Sequence, residues 1–373
     1  MKEPNSAECK SIPPTTKTKR WIAVLEICGI YMVGQYIAFI ILLFLGVNLV
    51  NPMETLQANP NTDMLEMAKT LALILMAQYI GIMIPAFAVG WWHRKRKLSA
   101  YGFQAKNPIL CVKKPILGNI LTGIVLFSVA ELPTKLLGVV DHFIPMGAKA
   151  TTQAFAFGAD WSSYKFWILM AVGSFVLIPL VEELFFRGYV QTRLAEDFGA
   201  STAILVTAMF FMFSHGQYYE TLSPWTVGMI LTGVFSALAW GYAFYKTRSL
   251  IAPIVAHVLV NFPVSGAADY ILPAAMAIIV VVYHKTVINA IRDFVQMVKS
   301  DPHSRMGTWV VTIGMTLYAV IISLSQELAI LISIPALITA LILIGVSKSK
   351  KKRALRATGQ MTETALTEEF VSN

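Results

Sequence analysis

Two adjacent carboxylates, Glu182 and Glu183, stand with Arg187 at the end of an apolar run over residues 166–181. A bilayer core has no water to solvate such charges, so keeping them there costs free energy that pairing or function must offset. Residues four apart share a helical face, so Glu183 and Arg187 can pair directly. Glu182 points about 100° away and is left for another partner. A desolvated carboxylate held in this way is suited to general-base work. The plain alternative is an ion pair that locks this helix against a neighbour. One glutamate suffices for that, and the second asks for a different use.

Two further polar groups interrupt apolar runs. His215 closes Phe211-Met212-Phe213-Ser214-His215, and His257 is followed four residues later by Asn261, on the same helical face. A lone histidine in an apolar helix is more often a hydrogen-bonded packing residue than a catalyst. The distribution argues otherwise here. Of the six histidines, His93, His142, His284 and His303 fall in loops or at span ends, and only His215 and His257 belong to apolar spans. Two intramembrane histidines, an asparagine and a glutamate pair on three separate helices form one candidate site.

The elements that must position these residues are membrane helices. The chain has 373 residues, 56% of them hydrophobic and 14% charged, with a mean hydropathy of +0.63. Soluble domains carry about 25% charged residues, so this chain lies outside that class. Apolar run lengths predict spans at 21–50, 66–92, 115–137, 165–187, 199–216, 225–245, 250–264 and 268–284, and a hairpin over 306–346 interrupted at Ser323-Leu324-Ser325-Gln326-Glu327. The expectation is an all-α polytopic bundle of about eight to ten membrane helices. Residues 1–20 and 347–373 form tails around a transmembrane domain over 21–346, with the catalytic core at about 165–266.

Charge places the termini. With the N-terminus in the cytoplasm, all but four of the 30 lysines and arginines lie in cytoplasmic segments, the exceptions being Lys69, Lys135, Lys149 and Lys165. That asymmetry follows the positive-inside rule and puts the C-terminus in the cytoplasm as well. The basic balance, a net charge of +9, is therefore a matter of topology and membrane lipid, and nucleic acid is excluded as a partner. Cys9, Cys28 and Cys111 show neither a CxxC pattern nor metal-ligand spacing, and their odd count, with two of them in cytoplasmic segments, argues against a disulfide framework. Residues 51–63 read as an external loop, and 148–165 as an interfacial segment. The first apolar run is too long for a signal-peptide core and is expected to remain as a helix.

EExxxR at Glu182–Arg187, FxxxH at Phe211–His215 and HxxxN at His257–Asn261, in that order, resemble the CAAX-protease and bacteriocin-processing family (CPBP, also called Abi). Its best-known members remove the last three residues of prenylated CAAX proteins. The resemblance spans residues 166–266 and implies an intramembrane endopeptidase. In it, Glu182 with His215 deprotonates a water that attacks the scissile carbonyl, and His257 and Asn261 stabilise the oxyanion. Glu183 and Arg187 hold the helix, and Phe211 shapes the pocket. Two versions stay open: zinc bound by Glu182, His215 and His257, or a metal-free glutamate mechanism. The implied partner is a peptide or a membrane-protein terminus, in a bacterial cell membrane.

Two rivals belong to other classes. A non-catalytic scaffold or bacteriocin self-immunity protein is the main alternative, and a proton-coupled transporter, for which repeated halves are missing, is the other. The catalytic reading makes a geometric demand. With span four ending at Arg187, Glu182 lies towards one face of the bilayer and His215 towards the other. For them to meet, that helix must continue past Arg187, or the next must start later or tilt. Gly188, Gly199 and Gly216 are candidate bends.

Overall fold

Apolar runs of this length can satisfy their backbone groups inside a bilayer only as helices, and the computed structural model shows that outcome. It describes residues 17–46, 64–90, 101–102, 115–145, 168, 176–218, 223–262, 268–301 and 305–324. Among the described residues there is helix and turn and no strand. The order is α1 (Lys17–Phe44), α2 (Met64–Ala88), α3 (Pro115–Phe143), α4 (Ile178–Glu183), a π-helical stretch (Leu184–Gln191) and α5 (Thr192–Phe198). There follow α6 (Ala200–Phe213), a short turn (Gly216–Tyr218), α7 (Pro224–Thr247), α8 (Ile251–Asn261), α9 (Ala268–Val282), α10 (His284–Ser300) and α11 (Arg305–Leu324). The N-terminal tail up to residue 16, the C-terminal tail, the external loop at 51–63, the basic clusters at 93–97 and 350–353, the interfacial segment at 148–165 and the second arm of the terminal hairpin lie outside the described residues, whereas residues 17–20 already belong to α1.

The chain is an all-α, multi-pass membrane protein. Arg20–Phe44, Pro115–Phe143 and Pro224–Thr247 are each long and apolar enough to cross a bilayer alone, and α9 with α10 pass the same test of length and composition only as a pair bent by 72°. Apolar stretches at Met76–Ala88, Ala200–Phe213, Ile251–Asn261 and Thr308–Ile321 are shorter. At 1.5 Å per residue the 11 residues of α8 rise about 16 Å, half a hydrocarbon core.

The largest departure from the sequence reading lies after Arg187. Residues 187–198, which lie between the predicted spans 165–187 and 199–216 and so would form a connection, continue the helix to Phe198. The charges that suggest a solvated loop are buried and paired. Arg193 Nε donates to both oxygens of Glu26 on α1 at 3.2 Å, Tyr189 donates to Glu26 Oε1 at 2.7 Å, and a second Arg193 nitrogen pairs with Asp197. The turn comes at Gly199, whose φ of 87° suits a residue without a side chain. Because α6 returns antiparallel from that point, Glu182 and His215 stand almost equally far from the turn along the two arms. Continuation of the helix past Arg187 is one of the routes by which the two groups could approach.

Helices α1 and α2 approach closely at Gly34, where an added Cβ would lie 2.6 Å from Ile82 Cα. This contact carries Tyr79, on α2, against the EE motif. Helix α7 starts at Ser223, whose side chain accepts from Thr226 N while Thr226 Oγ1 accepts from Ser223 N, with Pro224 at the first helical position. It stops at Arg248 in a left-handed conformation. The core between these helices is aromatic, with Phe185, Phe186, Phe210, Phe211, Trp240 and Phe244 all buried.

Candidate functional site

Arg187 ties three helices together. Its side chain and that of Glu183 are wholly buried, and the two pair at 3.0 Å, as the four-residue spacing predicts. The guanidinium sits 4.5 Å from the centre of the Phe211 ring on α6 and 5.3 Å from that of Trp240 on α7. It also donates to the Ala237 carbonyl at 3.5 Å. A desolvated cation over an aromatic face gains about 2 kcal/mol. The first two motifs therefore touch through the arginine of one and the phenylalanine of the other.

His257 bridges the two glutamates. Its Nδ1 lies 3.0 Å from Glu183 Oε1 and its Nε2 3.7 Å from Glu182 Oε2. A carboxylate only accepts, so the Nδ1 hydrogen belongs to the bond with Glu183. Its ring is stacked on Trp240 at 5.0 Å and meets Phe211 edge-on at 6.0 Å. Glu183 thus receives both Arg187 and His257, while Glu182 is oriented elsewhere.

Glu182 is 13% exposed and takes a hydrogen bond of 2.6 Å from the Tyr79 hydroxyl on its Oε1. Its Oε2 is buried and has no hydrogen-bond donor among the described residues, with His257 Nε2 its close polar neighbour. His215 follows the end of α6, where its Nδ1 donates to the Phe211 carbonyl at 2.7 Å. A carbonyl cannot donate, so that nitrogen carries the hydrogen and Nε2 of the neutral ring keeps its lone pair. The Phe211 ring packs edge-on to His215 at 4.8 Å, standing between the two histidines. Asn261 is the last residue of α8, one turn beyond His257 on the same face.

The π-helical stretch begins directly after Glu183, and all eight of its residues are buried. Such stretches occur frequently at functional sites. Gln191, at its end, donates to the Gly241 carbonyl at 2.8 Å and so fixes it to α7.

Three contributors escape the motif reading. Tyr79 has no sequence signal, because a tyrosine in an apolar helix is ordinary. Glu131, buried on α3, accepts from Ser236 Oγ at 2.9 Å, and Ser236 lies one turn before Trp240. An acid within the apolar run 115–137 answers to the same argument that finds Glu182. Tyr218 follows α6 outside the spans; burial, and then the charges of Glu131 and Glu182, push its hydroxyl up to about 12.

Residues 164–263 match the family model described as type II CAAX prenyl endopeptidase Rce1-like. This segment contains all three motifs and agrees with the resemblance they carry. Tyr79 and Glu131 come from helices outside the matched segment, so the surroundings of Glu182 are built partly by the remainder of the chain. No curated protein and no solved structure matches the chain. The family is one of CAAX-type intramembrane proteases, and its substrates are proteins or peptides.

Zinc bound by Glu182, His215 and His257 and a metal-free glutamate mechanism both remain open versions of the site. Zinc requires its ligand atoms at about 2.0–2.2 Å. Among the described residues, no three His, Cys, Asp or Glu side chains are grouped so as to hold a metal ion, and Glu182, His215 and His257 are no exception.

Proposed function

We propose that the chain is an intramembrane endopeptidase of the CAAX-protease type, in which Glu182 activates water. The observation that carries the proposal is the unequal treatment of the two Glu182 oxygens. Tyr79 holds Oε1, while Oε2 is buried with no donor among the described residues and faces the His257 ring. A carboxylate anchored on one oxygen is oriented to take a proton on the other.

In the first step a water oxygen attacks the scissile carbonyl carbon and its proton passes to Glu182, with the Nε2 lone pair of His215 helping to hold the water. The carbonyl oxygen becomes an oxyanion, which accepts hydrogen bonds from His257 Nε2–H and the Asn261 amide. Glu182 returns its proton to the leaving nitrogen as the C–N bond breaks. Glu183 and Glu182 flank His257, and Arg187 pairs with Glu183. An oxyanion donor of this kind contributes about 3–4 kcal/mol. The substrate is a peptide or a membrane-protein terminus presented from the bilayer.

The test compares short peptides and membrane-protein termini from cells carrying wild type and Glu182→Gln at equal membrane abundance. The variant keeps an acceptor for Tyr79 but cannot take the water proton. Removing a general base costs about 10²–10⁴-fold in rate, so the products should vanish. Matching peptide pools with a persisting cellular phenotype would overturn the peptidase and favour a scaffold or immunity role.

A further inference from the structure

Helix α10 is unlike the other helices of the bundle. It has no buried residue, and its exposed side sorts into parallel rows. Ile288, Ile291, Val295 and Val298 are each between 43% and 52% exposed and recur at three- and four-residue spacing, which places them in one stripe. Lys285, Arg292 and Lys299 recur every seven residues and run along one edge of that stripe, all exposed. Beyond the cations come the exposed amides of Asn289 and Gln296. Around the helix the order is thus apolar, cationic, neutral polar.

The remaining side is committed to the bundle. Asp293 accepts from Tyr242 at 2.8 Å and pairs with Lys246 at 2.9 Å, Phe294 packs on the Tyr242 ring, and Asp301 accepts from Ser201 and Thr202 at the start of α6. These contacts fix how α10 is rotated about its axis. The stripe of isoleucine and valine is left facing away from its neighbours.

Orientation supplies a second observation. Helix α9 is apolar, with Ile271, Ile278, Val281 and Val282 more than 60% exposed, as expected of a helix facing lipid. The chain then bends by 72° into α10, and His284 Nδ1 donates to the Val281 carbonyl at 2.7 Å across the break. A helix bent this far from a membrane-spanning one lies close to the membrane plane.

We propose that α10 lies in the headgroup layer of the bilayer, with its apolar stripe in the acyl chains and its row of cations on the phosphates of anionic lipids. An amphipathic helix with cations flanking its apolar face binds by buried area and by attraction to anionic headgroups together. Lysine and arginine stems reach from the edge of such a stripe up to the phosphate level. The helix is a surface element, and the bent pair is one span followed by an interfacial anchor.

The experiment uses the full chain reconstituted into vesicles, with Cys9, Cys28 and Cys111 replaced and one fluorescent label at Val295→Cys or Asn289→Cys. Circular dichroism and size-exclusion profiles matching wild type establish that each variant is folded. The expected result is that lipid nitroxides carried near the headgroup quench the label on the Val295→Cys protein and aqueous iodide does not, with the reverse ranking for Asn289→Cys. Adding phosphatidylglycerol to phosphatidylcholine vesicles should strengthen the lipid quenching of the Val295→Cys label. The triple variant Lys285→Gln, Arg292→Gln, Lys299→Gln should lose that dependence. Iodide quenching both labels equally would place α10 in water and overturn the proposal. So would a Val295→Cys label reached by neither quencher, or a thiol at that position that cross-links between copies, since protein would then cover the stripe. Quenching indifferent to phosphatidylglycerol would overturn the role given to the cations.

Discussion

Arg187→Met should be among the most damaging single substitutions in this chain, and the structure sets its size. The change removes the cation from a pair whose members are wholly buried, and breaking such a pair from one side costs about 3–5 kcal/mol. The contacts over Phe211 and Trp240 add about 2 kcal/mol if they count as fully desolvated. Glu183→Gln alone strands the arginine instead and falls within the same range of about 3–5 kcal/mol. Glu183→Gln with Arg187→Met removes both charges, so its cost should fall short of the sum of the singles by at least about 2 kcal/mol. Reversible unfolding of the four proteins in mixed micelles measures the cycle. Additive costs, with no coupling between the two sites, would refute the claim that Glu183 and Arg187 stabilise one another across the buried site.

Further expectations concern single groups. Tyr79→Phe deletes the charge-assisted hydrogen bond to Glu182 Oε1, a contact worth about 1.5–3 kcal/mol. The turnover number should fall by about 10- to 100-fold with little change in KM, and steady-state kinetics on a cleaved peptide separates the two. Glu26→Ala leaves Arg193 buried with part of its pairing lost, so it should cost about 3–5 kcal/mol in mixed-micelle unfolding. Per folded molecule it should leave the turnover number near wild type. A membrane-permeant chelator separates the two versions of the mechanism: a metal-free glutamate mechanism predicts cleavage unchanged by the treatment. Loss of activity restored by added zinc would overturn that version.

The fold class, the membrane setting and the candidate site follow from sequence because each rests on local chemistry. Apolar run length dictates helix where backbone groups have no water to bond. A glutamate pair, two histidines and an asparagine stand out in such runs because burying them is costly, and the four-residue spacing of Glu183 and Arg187 predicts the pair that forms at 3.0 Å. What escapes is set by long-range packing. Arg193 and Asp197 read as a solvated connection, yet they are buried because Glu26, far away in sequence, completes their charges. Tyr79 reaches Glu182 because α1 and α2 approach closely at Gly34. His257 meets both glutamates because α8 packs beside α4, which no spacing within either helix encodes. The types of the reacting groups are thus local properties of the chain. Their partners are decided in the tertiary structure, where desolvation makes every unpaired charge seek the nearest complement across the bundle.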